Sequence, residues 1–155
     1  MSLVEIDSTA PVSEIMSRRV VTVSPDDTLS VVRRLFDEHR FHHLIVVENG
    51  IARGVISHRD LLKHLSPFVG TLSEARKDSW TLEKRVHQVM TRGIVWAQPE
   101  TPITEAALMM AANRISCLPV LDAKSRPVGI VTTLDLLRWV ATKLHPEFRG
   151  ESAAA

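Results

Sequence analysis

The same seven-residue pattern occurs twice in this chain, and this repetition constrains the fold more than any other feature. Gly54–Asp60 consists of glycine, two apolar β-branched residues, a hydroxyl residue, two variable residues and aspartate, and Gly129–Asp135 repeats this order. In each copy the glycine and the β-branched pair indicate a short buried strand. The hydroxyl residue then takes the N-cap position of a helix, so a strand is predicted to lead directly into a helix.

The similarity between the two parts of the chain extends well beyond this pattern. At an offset of 74 residues, apolar, proline and arginine positions coincide, and one inserted residue near Lys124 raises the offset to 75. The coinciding pairs include Val12 with Val86, Met16 with Met90, Pro25 with Pro99, Arg40 with Arg114 and Leu44 with Leu118. Two copies of one structural unit therefore fill most of the chain.

Each copy is predicted to have the order strand, helix, strand, strand, helix. In the first copy we predict strands at residues 20–23, 41–47 and 51–57, and helices at 28–40 and 58 to about 65. In the second we predict strands at 94–98, 116–121 and 128–132, and helices at 103–114 and 133 to about 144. The fold class is α/β (α+β). Because one such unit buries too little surface to be stable alone, the two are expected to pack through their sheets with pseudo-twofold symmetry.

The repetition also predicts the domain organisation. Residues 12–65 and 85–144 are the two predicted repeats. Residues 66–84 have no counterpart in the first copy and are predicted to be a connector with some helix. Residues 1–11 are a predicted N-terminal extension, and residues 145–155 a predicted flexible tail. Asp27 and Thr101 are the predicted N-caps of the first helix in each repeat.

Composition excludes several functional classes. The 155 residues are 45% hydrophobic and 24% charged, which is typical of a globular domain. The net charge is +1 and no run of Lys or Arg exceeds two residues, so neither nucleic acid nor a membrane is an expected partner. The single cysteine, Cys117, excludes an internal disulfide. It is typical of a reducing compartment, and no apolar stretch is long enough to span a membrane, so a cytoplasmic location is expected.

The repeated hydroxyl and aspartate have two possible roles. At a junction of strand and helix, free backbone N–H groups and a hydroxyl can bind a phosphate, and an aspartate can accept hydrogen bonds from a ribose diol. Alternatively, Ser57 with Asp60, and Thr132 with Asp135, are ordinary capping pairs. Their recurrence within a larger duplication favours a shared phosphoribose-binding role.

The duplicated pattern resembles the CBS (cystathionine-β-synthase) domain pair, or Bateman module. The resemblance depends on residues 15–17 and 89–91 at the starts of the units, on 114–120 in the second central strand, and on the two glycine-to-aspartate patterns. It covers about residues 12–144. The resemblance implies a regulatory module rather than an enzyme, which binds AMP, ADP, ATP or S-adenosylmethionine as a regulatory ligand and forms a homodimer.

The resemblance also implies two crossed clefts, in which each repeat's hydroxyl and aspartate face strands of the other repeat. The first cleft would contain Ser57, His58, Arg59, Asp60, Val95, Ala97, Ile115, Ser116 and Cys117. The second would contain Val20, Thr22, Phe41, His42, His43, Thr132, Thr133 and Asp135. The aspartates would hold the ribose, the hydroxyls the phosphate, and the apolar strand residues the adenine. At Ile45 the chain departs from the family, which often has a proline there, as at Pro119.

Histidines distinguish the two predicted clefts. The first would offer His58 and Arg59 to a phosphate, and the second His42 and His43. Both are therefore predicted to accept a multiply phosphorylated nucleotide, the second more tightly as pH falls. A metal site is not expected at His42 and His43, because consecutive residues on a strand point to opposite faces of the sheet. Cys117 is expected to be a buried thiol rather than a nucleophile.

Two functional classes follow from these observations. The favoured one is a ligand-sensing module that signals through a dimer surface to an effector protein, which the sequence does not identify. The alternative is a structural dimerisation or interaction module with no physiological nucleotide. The intact aspartate and hydroxyl in both copies favour the first class.

Overall fold

Helices and strands follow one another largely in the predicted order in the computed structural model, which describes residues 9–73, 75–145 and 147 without the side chains of residues 77 and 78. The first repeat forms β1 (Thr22–Val23), α1 (Leu29–Glu38), β2 (His43–Glu48), β3 (Ile51–Ser57) and α2 (His58–His64). The connector contains α3 (Arg76–Ser79), and the second repeat forms α4 (Ile103–Asn113), β4 (Cys117–Leu121), β5 (Pro127–Thr132) and α5 (Thr133–Leu144). Single 3-10 turns lie at Val12–Glu14, Trp80–Glu83 and Val86–Gln88. The mixed α/β class is confirmed.

Each repeat forms its own small sheet. In the first, β1 pairs parallel to β2, and β2 pairs antiparallel to β3. In the second, β4 pairs antiparallel to β5. The strand predicted at residues 94–98 is wrong, because only Ala97 pairs there, as an isolated parallel bridge to Val120.

Two prolines explain why this strand is reduced to one residue. Ala97 donates a hydrogen bond to the Pro119 carbonyl and accepts one from the Leu121 N–H, both at 2.9 Å. The next bonds of a parallel ladder would need N–H groups from Pro119 on one side and from Pro99 on the other, and proline has none. In the first repeat Ile45 stands in place of Pro119 and retains its N–H, and β1 pairs over two residues.

The first helix of each repeat starts without the predicted side-chain cap. The N-caps are Thr28 and Pro102, and neither uses its side chain. The predicted N-caps are wrong because Asp27 and Thr101 close the preceding turns. Asp27 Oδ2 accepts from the Ser24 N–H at 2.7 Å, and Thr101 Oγ1 accepts from the Gln98 N–H at 2.9 Å.

The described chain folds into two compact units that differ from the contiguous repeats. The central unit is Val20–Ile94, and the composite unit combines the described parts of Met1–Arg19 and Val95–Ala155. In the central unit, fully buried residues of α1, β2 and β3 pack with Val86. In the composite unit, buried residues of α4, β4, β5 and α5 pack with Val12 and Met16. The segment that precedes each repeat therefore contributes to the core of the other repeat.

Backbone hydrogen bonds fix these two lead-in segments, residues 9–17 and 85–91. In the composite unit the N–H of Val12 donates to the Thr101 carbonyl at 2.8 Å, and Ser17 exchanges two bonds of 3.0 Å with Ile130. In the central unit Thr91 exchanges bonds of 2.9 and 3.1 Å with Val55. Each lead-in therefore extends the edge of the hairpin that it contacts.

The glycine that begins each repeated pattern is required by this contact. A Cβ at Gly54 would lie 2.7 Å from the Thr91 carbonyl oxygen, closer than side-chain atoms approach backbone. A Cβ at Gly129 would meet the Met16 sulfur first and the Ser17 carbonyl oxygen at 3.2 Å. Both glycines are buried and have ordinary backbone angles, so space rather than backbone conformation selects glycine.

Candidate functional site

Both repeated hydroxyl and aspartate pairs form a capping box at a junction of strand and helix. The Ser57 N–H and hydroxyl donate to Asp60 Oδ2 at 2.9 and 2.6 Å, and the Asp60 N–H donates back to Ser57 Oγ at 3.1 Å. Thr132 and Asp135 repeat these bonds at 2.8, 2.7 and 3.4 Å. The predicted capping role is therefore confirmed in both copies.

Capping uses only one oxygen of each carboxylate. Within the described residues, Oδ1 of Asp60 and Oδ1 of Asp135 accept no hydrogen bond. Both side chains are half-buried rather than enclosed. Since a carboxylate offers about four acceptor positions, each aspartate can cap its helix and still accept hydrogen bonds from a diol.

Three histidines surround the capping box of the central unit. His43 lies directly opposite Ser57 across the β2–β3 ladder. The His58 N–H donates to the His42 carbonyl at 2.9 Å, and the two imidazole centroids are 5.9 Å apart. The edge of the Phe36 ring packs against His58, with 5.5 Å between centroids. The sequence assigned His42 and His58 to different clefts, but their side chains meet within one unit.

The composite unit has the same arrangement of backbone with different side chains. Cys117 lies opposite Thr132 across the β4–β5 ladder. The N–H and the hydroxyl of Thr133 donate to the Ser116 carbonyl at 3.0 and 3.1 Å. Ser116, Cys117 and Thr133 thus occupy the positions that His42, His43 and His58 take in the central unit.

The predicted site residues are distributed between the units according to their own repeat. Val20, Thr22 and Phe41 belong to the central unit with Ser57, His58, Arg59 and Asp60, and the composite unit contains Val95, Ala97 and Ile115. Ala97 is buried in the composite core, whereas Arg59 is exposed. The crossed pairing of each aspartate with strands of the other repeat stays a prediction of the family resemblance.

Burial alters the protonation of one residue in each unit. It lowers the pKa of His43, and the charges of His42 and Arg59 act in the same direction while Asp60 opposes them. Burial also raises the pKa of the Cys117 thiol to about 12, so the thiol is un-ionised at neutral pH. Cys117 is buried, as predicted, and is therefore inert as a nucleophile.

Sequence reasoning missed the aromatic support of the histidines. Phe36 contacts both His58 and Phe41, and His39 stacks on Phe41 with 5.0 Å between centroids. The helical spacing of Phe36 and His39 indicated a buried face but not its partners. The tight Asn49-Gly50 turn predicted from the sequence would place His42 opposite Ser57. A β-bulge between Val46 and Val47 shifts the register, so that His43 takes that position instead.

Two other kinds of feature are absent from the described part of the chain. No group of three or more His, Cys, Asp or Glu side chains there could hold a metal ion. None of the helices found among those residues is both long and apolar enough to cross a membrane.

Comparison with known families decides what this duplicated unit is. The sequence model of the CBS domain matches residues 12–67 and matches again at 86–142. The chain belongs to the CBS domain family. The lead-in segments, the hairpins and both capping boxes lie within or beside the two matched CBS repeats.

Similar proteins are CBS proteins of different sizes. A CBS domain-containing protein of Dictyostelium discoideum is 36% identical over 137 residues, which are 87% of this chain and 94% of that protein. The crystal structure of MJ1225 from Methanocaldococcus jannaschii, a proposed archaeal homologue of g-AMPK, superposes with a TM-score of 0.76 at 28% identity. That match covers 88% of this chain but only 49% of MJ1225, so the chain spans about half of that relative.

One similar structure contains ligands. The CBS domain pair of protein MJ0100 was crystallised with 5′-methylthioadenosine and S-adenosyl-L-methionine. It superposes with a TM-score of 0.71 at 26% identity, over 84% of this chain and 99% of that pair. A CBS pair similar to this chain along most of its length therefore binds adenosyl ligands.

Proposed function

We propose that this CBS pair is a regulatory module that binds an adenosyl ligand at its two capping boxes. The observation that carries the proposal is the half-used carboxylate: Asp60 and Asp135 each keep Oδ1 available for a ribose diol while Oδ2 caps the helix. The ligands bound by the CBS pair of MJ0100 support an adenosyl compound. The module is not itself an enzyme.

The proposal also covers the identity of the ligand and the way in which its binding is signalled. AMP, ADP, ATP and S-adenosylmethionine are the candidate ligands, and the adenine nucleotides would make the module an energy sensor. Bound ligand stabilises the state that binds it, by mass action. We propose that this state is a homodimer in the cytoplasm, and that its surface is recognised by an effector protein.

A structural role is the second candidate, because one observation favours it. The capping boxes alone explain why both repeats carry a hydroxyl residue and an aspartate at these positions. In that case the CBS pair serves only to dimerise or to hold a partner, and no nucleotide is needed.

Substitution by asparagine separates the two roles. The side-chain oxygen of asparagine can still cap the helix, but its NH2 group cannot accept a hydrogen bond from a ribose hydroxyl. The Asp60→Asn plus Asp135→Asn variant should therefore fold normally and lose ligand binding. Asp26→Asn is the matched control, since its side chain is 89% exposed and outside both capping boxes.

Thermal unfolding with and without each candidate ligand provides the measurement. At a ligand concentration of 100 times Kd, one site should add about 2.7 kcal/mol to the stability of the wild-type chain. The control should retain that gain and the double variant should lose it. Absence of any gain with all four ligands, or an equal gain in the double variant, would establish the structural role instead.

A further inference from the structure

The imidazoles of His42 and His58, hereafter the imidazole pair, form a fixed group beside the capping box of the central unit. The hydrogen bond from the His58 N–H to the His42 carbonyl joins their backbones at 2.9 Å. Their rings meet edge to face, at an interplanar angle of 66°. Phe36 supports His58 from α1 with its ring at 81°. The backbone bond holds the two residues side by side, and Phe36 packs against the His58 ring.

The ring nitrogens of the imidazole pair are available to a ligand. Among the described residues, neither ring makes a hydrogen bond or an ion pair, and the exposed Arg59 guanidinium makes no ion pair. Charged and titratable groups near the pair include His43 on β2, on which His42, Arg59 and Asp60 act electrostatically, and His39 after α1, which stacks on Phe41. Of these groups only Asp60 is acidic, and its Oδ2 already accepts two hydrogen bonds in the capping box.

Proton binding and anion binding must be coupled in such a group. Two imidazolium ions 5.9 Å apart repel each other, and Arg59 adds a further positive charge. A bound anion compensates all three charges, so it favours protonation, and by reciprocity protonation favours the anion.

We propose that the central unit binds the phosphate group of an adenosyl nucleotide with uptake of protons by His42 and His58, so that its affinity for phosphorylated ligands rises as pH falls below neutrality. This proposal rests on the proposed function and specifies which ligands the site prefers. The composite unit has no such coupling, because its equivalent residues are Ser116, Thr133 and Leu134, in place of the imidazole pair and Arg59.

The ligand's own titration strengthens the test. A phosphate monoester loses negative charge below a pKa of about 6, which by itself weakens binding to a cationic group. A higher affinity at lower pH must therefore come from the protein. 5′-Methylthioadenosine has the adenosyl group without phosphate, so it is the matched control ligand.

Isothermal titration calorimetry of the full chain at pH 7.5 and 5.8 tests the proposal. ATP should bind about five-fold or more tightly at the lower pH, whereas 5′-methylthioadenosine should bind equally at both. Titrations at the lower pH in two buffers of different ionisation enthalpy should show net proton uptake with ATP.

The His42→Gln plus His58→Gln variant should lose the pH dependence. His64→Gln plus His145→Gln, which removes as many imidazoles elsewhere, should retain it.

The outcomes separate this inference from the function on which it rests. Binding of no adenosyl ligand at either pH contradicts the proposed function. Equal ATP affinity at both pH values, or an unchanged pH dependence in the His42→Gln plus His58→Gln variant, overturns the proton coupling alone. If that variant does not fold, NMR titration of the wild-type imidazoles replaces it. The pKa values of both rings should rise when ATP is added, and unchanged values would refute the coupling.

Discussion

The two units of this CBS pair share a backbone frame but differ in the charge placed on it. In both, a hydroxyl residue and an aspartate form the same capping box, with bonds to Oδ2 between 2.6 and 2.9 Å. Around that frame the central unit has three histidines and Arg59, whereas the equivalent positions in the composite unit are uncharged. The capping box and the charge around it therefore vary independently between the two units.

A second difference lies in the strands. Ile45 allows β1 to pair over two residues, while Pro119 limits its counterpart to a single bridge. One substitution of side-chain type thus changes the backbone pairing, although both central strands remain buried.

The contacts of the two glycines predict the largest difference between the units. Gly54→Ala should destabilise the chain by about 3 kcal/mol, because the new methyl group meets the Thr91 carbonyl in the backbone. Gly129→Ala should cost about 1 kcal/mol, since its nearest obstacle is the flexible end of Met16. Urea unfolding of both variants measures the difference. Equal costs would show that the two lead-in contacts are equally rigid.

The lead-in segments predict a smaller effect that crosses between repeats. Val12→Ala and Val86→Ala should each cost about 2 kcal/mol, because both side chains are fully buried. Hydrogen exchange locates the loss. Val12→Ala should lower protection in β4 and β5, and Val86→Ala in β2 and β3. Loss of protection within the variant's own contiguous repeat instead would contradict the exchange of segments, and each variant serves as the control for the other.

The histidines predict the smallest effect, a dependence of stability on pH that the composite unit lacks. Because the pKa of His43 is lowered from 6.5 in the folded chain, the unfolded chain binds more protons below pH 6.5. Stability contributed by neutral His43 is therefore complete above pH 6.5 and is lost as pH falls toward the folded pKa. Cys117, at the equivalent position, titrates near 12 and contributes nothing in this range.

Urea midpoints at pH 7.5, 6.0 and 5.0 measure this effect. The His43→Gln variant should lose less stability on acidification than the wild type does. His145→Gln is the control, since that side chain is exposed and pairs only with the neighbouring Glu147 among the described residues. A His43→Gln variant with the wild-type pH profile would show that burial of His43 does not control the profile.

Local patterns in the sequence predicted the elements whose causes are local. The strand Ile51–Ser57, the helix beginning at Thr133 and both capping boxes depend on residues within a few positions of one another, and the structure has them. The wrongly assigned N-caps Asp27 and Thr101 also have a local cause. Each side chain could accept a hydrogen bond either from the first turn of the helix or from the preceding turn, and the structure has the bond to the preceding turn.

Features that depend on distant residues escaped prediction. The absence of a strand at residues 94–98 follows from Pro99 beside it and from Pro119 on another strand, and the effect of Pro119 needs knowledge of the pairing. The exchange of lead-in segments depends on contacts between residues far apart in the chain, such as Val55 with Thr91 and Ser17 with Ile130. The hairpin register beside which His42 and His58 meet includes a β-bulge between Val46 and Val47, which the sequence did not indicate.

The composite construction affects the order in which the protein can fold during synthesis. The central unit is complete once the ribosome has released residue 94, and it can fold while translation continues. Residues 9–17 leave the ribosome before the central unit, whereas their partners α4, β4, β5 and α5 leave it after that unit. This lead-in segment must therefore wait for its partners while the whole central unit is synthesised between them.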